Sequence, residues 1–188
     1  MKYFKKLIGE LVYLSPMNIE DAEKYTEWMN DMEITDYIGR TVQVISIECE
    51  KEFITDTFKG NQNKVVLSII DKKTDTLIGN ISLNNINYIR KTATLGIFIG
   101  ENREKGYGTD AIKLILDYGF NYLNLKNIDL QVISCNTRAI KCYEKCGFKK
   151  YGSRRNSSFI NGKYYNTDYM DILCDEFNES YIENKNVK

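Results

Sequence analysis

After Ile99 the hydrophobic period of the chain changes. Upstream, Val65–Ile70, Leu77–Ile86 and Thr92–Ile99 are short apolar or alternating runs, and Asp71–Asp75 is a polar turn between the first two. Runs of this kind predict an antiparallel meander. Downstream, Ile112, Ile115, Leu116, Gly119, Phe120 and Leu123 recur at three- and four-residue steps, which predicts a helix over Thr109–Leu123. Ile128, Leu130 and Val132 then alternate as a strand within Asn127–Val132. A helix placed between two strands returns the chain to the same edge direction, so Thr92–Ile99 and Asn127–Val132 are expected to run parallel. The fold class is therefore α/β, with a mixed, largely antiparallel central sheet and flanking helices.

The rest of the chain fits around that core. Leu11–Leu14 reads as an opening strand. Ile19–Asn30 reads as a helix, with Asn18 as N-cap and Ala22, Tyr25 and Met29 on one apolar face. Ile47–Phe58 repeats that character, and Thr137–Cys146 is a shorter helix closed by Gly147. Two last strands, about Phe148–Phe159 and Lys163–Leu173, flank Asn161-Gly162, a dipeptide that supplies the positive φ angles of a tight hairpin. With 188 residues and no repeat or Pro/Gly-rich linker, the expectation is one domain over residues 1–188.

Composition removes several chemistries. The chain has no His, which excludes Ser/His/Asp triads, Cys/His dyads, His-containing zinc sites and His acid–base catalysis. Lys and Arg (26) balance Asp and Glu (26), so no overall field favours nucleic acid or an anionic membrane. Five Cys, an odd number, suit reduced thiols in the cytoplasm. Lys2, Lys5 and Lys6 precede Leu7-Ile8 in the manner of a leader, but Glu10 interrupts the apolar run. Cys142, Cys146 and Cys135 lie close in sequence, yet a fourth ligand is not apparent, so no metal is expected.

The segment Arg103-Glu104-Lys105-Gly106-Tyr107-Gly108-Thr109 lies between a strand and a helix. Its glycines let backbone N–H groups approach an anion, the helix N-terminus adds partial positive charge, and Arg103 and Lys105 add formal charge. Gly106, Gly108 and Ala111 also fit G-x-G-x-x-A, the dinucleotide fingerprint. Against that reading, the first loop glycine comes well after Gly100, and the acid of the next strand, Asp129, is near its start. A bland strand–helix turn remains the alternative.

A second cluster, Asn136-Thr137-Arg138-Ala139-Ile140-Lys141-Cys142-Tyr143-Glu144-Lys145-Cys146-Gly147-Phe148, follows the first in order. Together, R-x-x-G-x-G and N-x-x-A-x-x-x-Y-x-x-x-G-F on this strand–helix order resemble the GNAT superfamily of acetyl-CoA-dependent N-acetyltransferases, over about residues 10 to 175. Within it, Ile86-Asn87-Tyr88-Ile89 and Phe159-Ile160-Asn161-Gly162-Lys163-Tyr164 are similar to the branch of ribosomal-protein N-terminal and polyamine acetyltransferases.

The resemblance implies a GNAT fold and acetyl transfer from acetyl-CoA to a primary amine by direct attack. The acceptor would be a polyamine, an amino sugar or a protein N-terminus, with a homodimer expected by family analogy. Arg103, Glu104, Lys105, Gly106, Tyr107, Gly108 and Thr109 would wrap the coenzyme's pyrophosphate. The backbone of Ile97, Phe98 and Ile99 would pair with the pantetheine arm, with Gly96 marking a bulge that opens the slot. Asn136 would hydrogen-bond that arm, Ala139 would keep the helix surface low, and Tyr143 would protonate the departing thiolate. Tyr143 reads otherwise as a core aromatic. The pattern is broken at Thr94, where many relatives of the branch carry Glu, and at Ser82 and Asn85, where polyamine enzymes present acids. A water chain, Glu33 or Asp36 would then take the amine's proton. A chain of another class, a non-catalytic acyl-CoA sensor, would also tolerate the loss. From Glu10 to Asp36 the single base is Lys24, and from Lys141 to Lys163 the single acid is Glu144, which suggests an acidic acceptor mouth and a basic coenzyme side.

Overall fold

The computed structural model describes residues 2–39, 42–59, 62–101 and 105–178. Its strands are β1 (Leu7–Ile8), β2 (Val12–Pro16), β3 (Val65–Asp71), β4 (Leu77–Asn87), β5 (Thr92–Ile99), β6 (Asn127–Ile133), β7 (Lys149–Ile160) and β8 (Lys163–Leu173). They form one mixed sheet in the order β1-β2-β3-β4-β5-β6-β8-β7. Neighbours pair antiparallel except β5 and β6, which run parallel as the crossover required. The β7–β8 turn holds Asn161 at φ 51° and Gly162 at φ 79°, the left-handed pair a two-residue hairpin needs.

The helices are α1 (Ala22–Met29), α2 (Met32–Ile38), α3 (Ile47–Phe58), α4 (Tyr107–Asp117) and α5 (Thr137–Lys145). Strand alternation assigns them to two layers. Ile112, Ile115 and Leu116 of α4 pack with Ile81, Leu83, Leu95 and Ile128 on one face. Tyr25 and Trp28 of α1 and Ile54 of α3 pack with Tyr13, Ile70 and Phe98 on the other. Each fully buried Leu or Ile in these layers contributes about 2 kcal/mol.

Three local expectations change. The turn Ile19–Asp21 is a 3-10 segment, because the Asn18 side chain accepts from the Glu20 N–H and delays the regular helix to Ala22. The helix expected to reach Leu123 ends as α-helix at Asp117 and continues as a π turn over Tyr118–Tyr122, with Gly119 and Phe120 buried. Helix α2 is an addition. It is short, started by the Asp31 carboxylate on the Glu33 N–H and stopped at Gly39, φ 71°.

Gly96 is not at a bulge. It pairs in register with Ser82, and the irregularity of the β4–β5 ladder lies between Asn84 and Asn87. A Cβ at Gly96 would sit 2.9 Å from Ser82 Oγ and 3.3 Å from Asn84 Nδ2. Its missing side chain makes room for two polar neighbours.

Candidate active site

The parallel β5–β6 ladder has three rungs, Thr92–Asn127, Ala93–Ile128 and Thr94–Asp129. Beyond them the strands part. β5 stays with β4 as far as the Gly79–Ile99 pair, while β6 stays with β8 as far as Ile133–Thr167. The gap is a cleft of about 530 Å³, within the range of small-molecule sites.

The cleft gathers most of the residues singled out in the sequence. Ile97, Phe98, Ile99, Gly106, Tyr107, Gly108, Thr109, Asn136, Ala139 and Tyr143 all line it. Lys105 is not among the lining residues, although its charge reaches Asp71. Arg103 and Glu104 lie outside the described residues. Glu33, exposed on α2, lines the cleft, whereas Asp36 and Thr94 do not line it.

Gly106 begins α4 at φ 85°, a conformation that suits glycine, and as N-cap it has no side chain to set over the first turn. The helix therefore points its first-turn N–H groups and the positive end of its dipole at one end of the cleft. Two anchors hold that turn. The Tyr107 hydroxyl donates to Asp71 Oδ2 at 2.5 Å. Burial pushes the Asp71 carboxyl up, but the hydrogen bonds from Tyr107 and from the N–H groups of Lys73 and Thr74 outweigh it and hold the group below its ordinary value. The Asp110 carboxylate accepts from Leu11 N (2.8 Å), Val12 N (2.9 Å) and Glu10 N (3.3 Å), tying α4 to the β1–β2 turn. Asp110→Ala leaves those donors to water. It should cost about 2 kcal/mol and lower Tm by about 6 °C, which thermal unfolding monitored by circular dichroism will measure.

Helix α5 forms the opposite wall. Asn136 caps it, its Oδ1 accepting from Ala139 N at 3.1 Å. Tyr143 is buried with its ring edge-on to Phe148 at 5.9 Å. Burial, then the neighbouring Cys142 and Cys146, push the phenol above its ordinary pKa, so it is neutral at physiological pH and carries a proton to give. Cys142 lines the cleft and Cys146 is buried behind it. Hydrogen bonding from Cys146 draws the Cys142 thiol down, with Thr109 acting the same way. Among the described residues, no three His, Cys, Asp or Glu side chains are grouped to hold a metal ion.

Sequence reasoning missed Arg138, and covered Lys141 and Lys145 only within the basic stretch Lys141–Lys163. All three line the cleft. Their spacing of three, four and seven residues on one helix is the signal that reveals a shared face.

The family profile of the acetyltransferase (GNAT) domain matches residues 14–168. The chain belongs to the GNAT acetyltransferases. The GNAT protein is an N-acetyltransferase, moving the acetyl group of acetyl-CoA to an amine. It is 31% identical, over 91% of its length and 97% of the relative's, to the uncharacterized N-acetyltransferase p20 of Bacillus licheniformis. It is 29% identical to the spermidine N(1)-acetyltransferase of Escherichia coli K12, covering 88% of each chain. The crystal structure of spermidine N-acetyltransferase from Vibrio cholerae, in complex with CoA and spermine, is similar in fold at a TM-score of 0.80. Their sequences are 30% identical, over 89% of this chain and 98% of that one.

Proposed function

We propose that this GNAT protein acetylates a primary amine of a polyamine, with acetyl-CoA lying in the gap between β5 and β6. The observation that carries the reading is the cleft itself, where a glycine-led helix start, the strand edge that has parted from β6 and a buried phenol meet. The N–H groups of Gly106–Thr109, next in sequence to Lys105, wrap the pyrophosphate. Arg138, Lys141 and Lys145 add charge for the coenzyme's phosphates. The backbone of Ile97–Ile99, released from β6, pairs with the pantetheine arm, and one of its amides polarises the thioester carbonyl. Asn136 spends Oδ1 on its cap and donates from Nδ2 to the arm, while Ala139 keeps the wall low. The amine attacks the thioester carbon, the C–S bond breaks, and Tyr143 gives its proton to the departing thiolate.

A polyamine is favoured as acceptor by two supports. The similar proteins from Escherichia coli and Vibrio cholerae are named as spermidine acetyltransferases. The cleft also carries the acidic Glu33 on its α2 wall, opposite in charge to an ammonium. The reaction belongs to the cytoplasm, in keeping with five free cysteines. No described helix is long and apolar enough to cross a membrane.

The test is release of free coenzyme A thiol with spermidine, spermine, a glucosamine and a peptide bearing a free N-terminus. Spermidine or spermine should give the highest kcat/KM, and added salt should weaken it steeply, as expected for a charged acceptor. Turnover confined to the peptide would move the acceptor to a protein N-terminus. Binding of acetyl-CoA without turnover on any amine would make the protein a sensor.

A further inference from the structure

Thr94 leaves the reaction without a carboxylate on β5, and the neighbouring strand supplies one. Asp129 is the Cα partner of Thr94 on the last rung before β5 and β6 part. Paired residues on adjacent strands point to the same face, and so do residues two apart on one strand. Asp129 therefore shares a face with Gly96 and Gln131, both of which line the cleft. It stands on the last closed rung, one step behind those two lining residues and not itself among them, with the hydrogen-bonded Ser82 and Asn84 on the β4 side of the same face.

The carboxylate is incomplete there. Asp129 Oδ1 is buried and, among the described residues, has no hydrogen-bond partner. Its cross-strand neighbour Asp171 differs, because Asp171 Oδ2 accepts from Asn127 Nδ2 at 2.7 Å. Asp21, which also has a buried oxygen without a partner among the described residues, is served at its second oxygen by Lys2 at 2.6 Å and by the Tyr3 hydroxyl at 3.0 Å. A buried carboxylate oxygen without a donor is unfavourable. At the apex of a cleft that receives an amine, the missing donor is an N–H of the substrate. Glu33 is a weaker candidate, since it stands exposed on α2 and keeps its water.

We propose that Asp129 holds the acceptor's ammonium at the cleft apex and takes its proton before attack. The inference rests on the amine acetylation proposed above. The ammonium gives one proton to Asp129, which passes it to solvent, and the freed lone pair forms the N–C bond. The C–S pair leaves on sulfur, which takes the Tyr143 proton. The nitrogen's surplus proton returns to the Tyr143 oxygen through water, and the sum is amide, free thiol and one released proton.

The experiment compares the full-length wild type with Asp129→Asn, Asp171→Asn and the double variant Thr94→Glu/Asp129→Asn. Measurements are spermidine-dependent thiol release and acetyl-CoA binding by thermal shift. Asp129→Asn should keep the shape and the coenzyme affinity while kcat/KM for spermidine falls about 100-fold. Asp171→Asn should stay within about threefold of wild type, because its carboxylate already has a donor in the fold. A glutamate at position 94 reaches the same apex from the facing strand and should restore at least about a tenth of the lost rate. Wild-type turnover in Asp129→Asn would overturn the assignment, and so would an equal loss in Asp171→Asn, which a general acidic field produces. A wild type that binds acetyl-CoA but acetylates none of the amines overturns the parent reading and this one together, and is told apart by its lack of any rate to lose.

Discussion

Tyr143→Phe is expected to bind acetyl-CoA as the wild type does and to lose between about 10² and 10³ in kcat. The substitution removes one oxygen and leaves the ring, so the edge-on contact with Phe148 and the burial on the α5 wall persist. The lost oxygen carries the proton. Burial keeps the phenol protonated at working pH, which makes it a donor throughout the physiological range. Without it the thiolate leaves bare, and a 10² loss corresponds to about 2.7 kcal/mol of transition-state stabilisation. Thiol release at saturating spermidine measures kcat, and thermal shift with acetyl-CoA measures binding. Unchanged kcat would return Tyr143 to the role of a core aromatic. Loss of coenzyme binding along with turnover would assign the hydroxyl to holding the coenzyme and not to proton donation.

The second large effect is on folding. Gly79→Ala places a Cβ 2.2 Å from the Phe98 carbonyl oxygen and 3.1 Å from Ile99 Cα. Both are backbone atoms of the adjacent strand, so no rotamer change relieves the overlap, and β4 and β5 must move apart. The expected cost is about 3 kcal/mol, seen as a fall in Tm of about 10 °C for a chain of this size. The same displacement carries Phe98 and Ile99, which line the cleft, so KM for acetyl-CoA should rise in the protein that remains folded. A Tm within 2 °C of wild type would show that the sheet absorbs a methyl group at this position.

The two variants differ in how easily the sequence reveals them. Tyr143 belongs to a run of fixed spacing on one helix, and helix spacing is a local property. The Asn161-Gly162 hairpin and the meander were legible for the same reason, since turn chemistry and period 2 are written within a few residues. The closeness of Gly79 to Phe98 is set by the register of two strands, and no local pattern records it. The same holds for the bulge expected at Gly96. A glycine in a strand has more than one cause, and here the cause is the side chains of Ser82 and Asn84 on the neighbouring strand.

Helix α2 escaped notice because it is seven residues long and has a single capped turn's worth of signal. It holds its place by packing Ile34 into the core beneath it. With it, the α2 wall of the cleft escaped notice too, although Glu33 was named as a candidate base. Asp129 is visible in the sequence as an acid near the start of a strand. Nothing in the neighbouring residues says that it faces Thr94.

By itself, the order of residues determined most of the elements, their sequence and the glycine loop ahead of α4, though not β1, α2 or the start of α4 at Tyr107, because periodicity, capping and turn preference act over one to three turns of chain. The folded sheet decided where β5 and β6 separate and which side chains border the opening. Those depend on registers between strands some 35 residues apart, fixed only when the two helical layers pack onto the opposite faces of the sheet.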